Sequence, residues 1–205
     1  MSIRIFKNME WVDEMVEGVK KESAKERILR VAADLFYREG IRAVGIDRII
    51  MESGVAKASF YRNFATKDEL IVAYLEYRHS LSIANVEHAK RKHPDSPIDQ
   101  LNALVEGLAE RMGKYENRGC PFLNTAVEFP DTDHPGYKKA VACREELWNI
   151  IEAIAQQAGA RDPVELVAHI RMLSSGAIMI SYMNRTSQSE SFLGAARLLI
   201  ERQFA

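Results

Sequence analysis

The strongest constraint on this chain is its punctuation. From Ser23 onward, short polar or proline-bearing turns separate segments whose apolar residues recur every three to four positions, with almost no run of period-two alternation. Such a chain must bury helix faces against one another, so an all-α fold is expected. Ser23 with Glu26 forms a capping box, after which Ile28, Ala32, Leu35 and Phe36 share one face and Gly40 closes the segment as a left-handed C-cap. Ile46, Ile49 and Ile50 mark a short second helix that breaks at Ser53-Gly54, and a third runs over 56–64. Thr66 with Glu69 is a second capping box, opening a long helix through Leu70, Tyr74, Leu75 and Arg78 into the early nineties. Ser96 before Pro97 starts another, with Ile98, Leu101, Val105, Leu108 and Met112 as a heptad-like stripe. A short helix over 122–129, stopped by Pro130, precedes long helices over 135–158 and 162–184 and a last one over 191–203.

At 205 residues with 47% hydrophobic and 28% charged residues, the chain can bury a substantial core, as one large domain or a small one joined to a larger. No run approaches the roughly 18 consecutive apolar residues that cross a bilayer, and the start lacks the order of a secretory signal. A soluble cytoplasmic protein without a membrane partner is expected. Cys120 and Cys143 are too few and too isolated for a disulfide framework, so reduced structural thiols are expected, with a redox role for Cys120 as the alternative. His79, His88, His93, His134 and His169 lack metal-ligand spacing, so neither metal nor cofactor is expected. The net charge of −1 conceals an asymmetry: residues 20–67 hold eleven Lys/Arg against six Asp/Glu, leaving +5 there and −6 elsewhere. A basic end on an acidic body suits binding to phosphate-bearing nucleic acid.

Three short helices with a glycine-containing turn between the second and third have the spacing of a helix-turn-helix. The residues are more specific than the spacing. Ile49 to Val55 carries an Ile-x-x-x-x-Gly-Val core, Lys57-Ala58-Ser59-Phe60-Tyr61-Arg62-Asn63-Phe64 a Lys-x-Ser-x-Tyr-x-x-Phe helix, and Thr66-Lys67-Asp68-Glu69-Leu70 the start of the fourth helix. This stretch resembles the signature of the TetR/AcrR family of transcriptional regulators. The resemblance implies an N-terminal extension (1–22), a DNA-binding domain (23–70) and a C-terminal ligand-binding and dimerisation domain (71–205), in a non-enzymatic homodimer. It implies a ligand-responsive repressor that binds a palindromic operator. In the third helix, Phe60 and Phe64 are expected to anchor inward. Small Ala58 and Ser59 permit close approach to base edges, while Lys57, Tyr61 and Thr66-Lys67 suit phosphate, and Arg62 fits either task. Arg42 and Gly45 are further DNA-binding candidates. Gly45 and Ala56 stand where the family commonly has hydroxyl-bearing caps, which puts the phosphate contacts of those hydroxyls in doubt.

Beyond residue 85 the resemblance rests on helix count and on Gly119-Cys120-Pro121-Phe122-Leu123-Asn124 followed by Glu128-Phe129-Pro130. In the family the last two long helices form a four-helix dimer interface. The residues placed there are Met172, Ser175, Gly176, Met179, Ile180 and Met183, joined by Leu193, Ala196, Leu199 and Ile200, with ordinary intrachain core as the alternative. A small-molecule effector site is expected among Tyr74, Tyr77, Met112, Tyr115, Phe122, Asn124, His169 and Tyr182. Met9, Val12, Val16 and Val19 fit one face of an extra helix, with Trp11 and Met15 near it, and an unstructured leader fits equally. The competing classes are a helical protein-interaction module without operator binding and an enzyme built on a cysteine and a histidine. The latter has neither nucleophile elbow nor glycine-rich phosphate loop behind it.

Overall fold

A computed structural model describes residues 22–112 and 118–204. The expectations for the first 21 residues and for Tyr115 lie outside this range. Nine α-helices and no strand are found among the described residues: α1 Ala24–Glu39, α2 Ile46–Ser53, α3 Lys57–Asn63, α4 Lys67–Lys92, α5 Pro97–Met112, α6 Pro121–Glu128, α7 Pro135–Gln157, α8 Pro163–Asn184 and α9 Ser189–Phe204.

The helix starts follow from local chemistry. The Ser23 hydroxyl accepts from the Glu26 amide, and the Glu26 carboxylate accepts in return from the Ser23 amide. At α4 the box is shifted: Thr66 Oγ1 accepts from the Glu69 amide at 3.1 Å, whereas the Glu69 carboxylate takes the amide of Ala65 at 2.8 Å. Asp162 caps α8 ahead of Pro163. The cap of α7 has no counterpart in the sequence reading, because it is an imidazole: His134 Nδ1 accepts from the Gly136 amide at 3.0 Å. Gly40 also departs from expectation. Its φ of 96° is positive but its ψ of 149° lies outside the left-handed helical region, so the chain leaves α1 extended rather than curled back. The final helix begins at Ser189, two residues before its expected start.

Two apolar cores result. The first joins Ile28, Leu35 and Phe36 of α1, Ile49 of α2 and Phe60 of α3 to Leu70, Ile71, Tyr74 and Leu75 of α4, and continues into Phe122, Ala140 and Cys143. The second joins the far end of α4 to α5, α7, α8 and α9 around Leu101, Trp148, Ile154, Leu166 and Ile170. The expected domain boundary at residue 70 therefore falls within α4, which belongs to both cores. Helix α8 is long and apolar enough to cross a membrane by length and composition alone, although only 22% of that segment is buried within the chain.

Phe60 is fully buried, with its ring 6.3 Å from that of Phe64. Phe60→Ala is expected to cost about 3–5 kcal/mol. Met51→Ala, at a position 72% exposed, should stay within about 0.5 kcal/mol. Urea unfolding followed by circular dichroism checks both.

Candidate DNA-binding site

The outer face of α3 is created by what its inner face must do. Gly54 ends α2 in the left-handed conformation, at φ 63° and ψ 27°, and turns the chain into α3 within a few residues. Phe60, Phe64 and Val55 then sink into the first core beside Ile49 and Val44. With those side chains committed, Lys57, Ala58, Tyr61 and Arg62 face solvent and Ser59 is half-buried. Ala56 and Gly45 supply no side-chain cap to α3 and α2, so those helix starts depend on packing and backbone alone. The Asn63 amide nitrogen donates to the Ser59 carbonyl at 2.7 Å and is used within the helix.

The basic side chains divide into free and committed groups. Lys57 pairs with Asp47 at 3.1 Å, but the two side chains are 65% and 86% exposed, and such a pair is worth little in water. A phosphate can displace it. Tyr61 stands 43% exposed, edge-on to Phe60 at 5.3 Å, with its hydroxyl available to an outside partner. Arg48 is held between Glu39 and Glu52, both of which hydrogen-bond its guanidinium and push its pKa up. Thr66 spends its hydroxyl as the cap of α4. Lys67, expected on phosphate, is turned inward instead: Nζ donates to the Ile41 carbonyl at 2.6 Å and lies 5.9 Å from the Phe36 ring centroid. Burial pushes this ammonium below the usual lysine range. The Arg42 guanidinium lies over the Phe129 ring at 5.2 Å. Gly45 is exposed at the start of α2.

The turn between α1 and α2 is gripped from below by α6. Glu128 Oε2 accepts from the Arg42 amide at 2.9 Å, beside Gly40, where an added Cβ would meet Glu128 Oε1 at 3.2 Å. Phe129 stacks on His134 at 4.2 Å and carries Arg42 as described. At the other end of α6, the Tyr37 hydroxyl donates to the Gly119 carbonyl at 3.1 Å and accepts from the Arg118 amide at 3.0 Å. Glu128 and Phe129 belong to a pattern visible in the sequence, but only a contact 86 residues apart shows that it holds the turn between α1 and α2.

Known proteins share this arrangement. Residues 28–74 match the family model described as bacterial regulatory proteins, tetR family, and residues 97–193 that of a tetracyclin repressor-like C-terminal domain. A TetR-family transcriptional regulator from Streptomyces coelicolor is 33% identical, superposes with a TM-score of 0.81, and is matched over 88% of this chain and 95% of its own. The chain belongs to the TetR family of transcriptional regulators. Among curated relatives, the HTH-type transcriptional regulator YxaF of Bacillus subtilis is 30% identical over 46% of this chain, a match that spans only 48% of YxaF. The HTH-type transcriptional activator FasR of Mycolicibacterium smegmatis is 25% identical over 78% of this chain and 70% of its own length.

Of the expected effector-site residues, Tyr74, Met112 and Phe122 are buried at 2%, 3% and 5% exposure, and they divide between the two cores. Tyr74 packs edge-on to Phe36 at 5.6 Å. Tyr77 and His169 are half-buried, Asn124 donates to the Arg118 carbonyl at 3.0 Å, and the Tyr182 ring is covered by Arg185 at 4.9 Å. Two surface clefts, of about 700 and 500 Å³, lie elsewhere, one at His93, Ile98 and Arg197 and the other at Lys25, Phe64 and Val72. Of the expected interface residues, Ala196 and Ile200 prove to be intrachain core, at 0% and 2% exposure, because α9 turns them onto the second core. Leu193 and Leu199 are half-buried against the same core, and Ser175 accepts from Arg144 Nη2 at 2.7 Å.

Lys57→Ala is expected to weaken binding to all DNA sequences alike and to lower the salt slope by about one, read by fluorescence anisotropy. Lys67→Met should leave that slope unchanged and cost about 1 kcal/mol of stability, since the bond to the Ile41 carbonyl and the charge beside the Phe36 ring are lost.

Proposed function

We propose that this TetR-family chain is a homodimeric, effector-responsive repressor that reads a palindromic operator through the outer face of α3. The observation that carries the reading is an apolar stripe without a partner among the described residues. Met172, Met179, Ile180 and Met183 of α8 are 63%, 54%, 46% and 70% exposed, beside the exposed Gly176, and Leu198 of α9 is 68% exposed. Exposed methionines at helical spacing next to a glycine suit close helix packing against a second copy. Leu198, rather than Ala196 or Ile200, is the α9 contribution to that face. On this reading the apolarity of α8 serves a dimer seam in a cytoplasmic protein, not a bilayer.

Two copies present two α3 helices, and reading one face of B-DNA requires them about 34–36 Å apart. Lys57 and Tyr61 set the register on phosphate, with Arg42 and Gly45 at the edge of the surface. Ala58 and Ser59 meet base edges, and Arg62 extends either contact. An effector acts by favouring a body conformation in which α4 and α6 carry the heads to another spacing. The regulator reading needs no reactive thiol: Cys143 is buried and its pKa is pushed up by that burial, which keeps it protonated.

Met179→Glu combined with Met183→Glu should give a folded monomer by analytical ultracentrifugation and lose retention of the DNA upstream of its own reading frame. A wild-type protein that is monomeric at micromolar concentration, or that fails to retain this DNA at low salt, would refute the proposal.

A further inference from the structure

Four arginines converge where α6 begins, and none has a carboxylate within ion-pair distance among the described residues. The Arg78 guanidinium, from α4, lies over the Tyr37 ring at 4.6 Å. Arg118 donates its amide to the Tyr37 hydroxyl at 3.0 Å and Nη1 to the Tyr37 carbonyl at 3.4 Å. Arg144, from α7, donates Nη1 to Cys120 Sγ at 3.3 Å and Nη2 to Ser175 Oγ at 2.7 Å, neither of them a carboxylate. Arg111, from α5, lies near Arg78: desolvation, and next the Arg78 charge, push its pKa down.

Arg30, Arg38, Arg48, Arg171 and Arg197 each meet a carboxylate, whereas other arginines, Arg42 and Arg185 among them, lie on aromatic rings instead; what sets the cluster apart is that its members stand together. Gathering uncompensated guanidiniums costs stability through repulsion and desolvation, a cost recovered when an anion arrives. Guanidinium forks match the planar oxygens of carboxylates and phosphates. The N-terminal end of the α6 dipole adds to the same field. Ile178 supplies an apolar wall, 3.7 Å from where a Cβ on Gly119 would stand.

We propose that the cluster of Arg78, Arg111, Arg118 and Arg144 is the charge-recognition site for an anionic effector, a small molecule bearing a carboxylate or phosphate group. This rests on the effector response proposed above and names its ligand class. The anion draws α4, α5, α7 and the start of α6 onto one charge. Arg78 and Tyr37 lie on α4 and α1, and the DNA-reading head is built on those two helices.

The test is thermal unfolding of the full chain titrated with inorganic phosphate or acetate, with chloride holding the ionic strength constant. Saturable stabilisation is expected, and Arg111→Gln and Arg144→Gln should each weaken the apparent affinity by about tenfold or more. Response to phosphate alone assigns a phosphate-bearing effector, and response to acetate as well assigns a carboxylate. Both variants should also melt higher than wild type in anion-poor, low-salt buffer, as relief of repulsion requires. Absence of a saturable response in the wild type overturns the proposal. So does a response kept in the double variant, which would place the anion on the DNA-reading face. DNA retention, measured on the same samples, separates this outcome from failure of the operator reading.

Discussion

Leu70, Ile71, Tyr74 and Leu75 occupy less than two turns of α4, and on their burial the arrangement of the molecule depends. They close the core of the DNA-reading head against α1 and α3 and, in the same layer, meet Phe122, Ala140 and Cys143 of the body. Protein interiors are packed at crystal-like density and transmit displacement rather than absorbing it. A shift of α4 by the body is therefore a shift of Phe36, Phe60 and the exposed face of α3. The short loop before α4 leaves no slack, because Lys67 is tied to the Ile41 carbonyl and Glu69 to the Ala65 amide.

A second connection runs outside this core. Glu128 and Phe129 hold the turn between α1 and α2, while Tyr37 holds Gly119 and Arg118 at the opposite end of α6. One eight-residue helix thus bridges two points on the head, and its first turn stands beside the arginine cluster. Anion capture at one end and the grip on the turn at the other are separated by the length of a single rigid element. This geometry gives a regulator a short path from ligand charge to helix position.

Much of this could be read from the sequence, and the exceptions have physical causes. Helix starts declared themselves at Ser23, Thr66, Pro97 and Asp162 because caps and N1 prolines are local chemistry. The inward pair Phe60 and Phe64 followed from spacing alone. Lys67 did not, since a lysine at the start of a helix beside DNA-reading residues gives no local sign that a carbonyl 26 residues earlier will claim it. Ala196 and Ile200 take the intrachain-core alternative while Leu198 is exposed, a division that the sequence could not give because periodicity sets the direction of a stripe but not which neighbour it meets. The arginine cluster draws on α4, α5, α7 and a loop, and no window of sequence contains it. The His134 cap was hidden for a different reason: an imidazole seldom caps a helix, so nothing in the residue type announced it.

The central claim is that head and body share one core through α4, so that the recognition helix cannot move independently of the body. Native-state hydrogen exchange measures this directly. The account predicts that amides of α1, α3 and the first half of α4 open together with those of α6, at one common free energy. Exchange of α1 to α3 as a separate unit of distinctly lower stability, with α6 and all of α4 still protected, would contradict it.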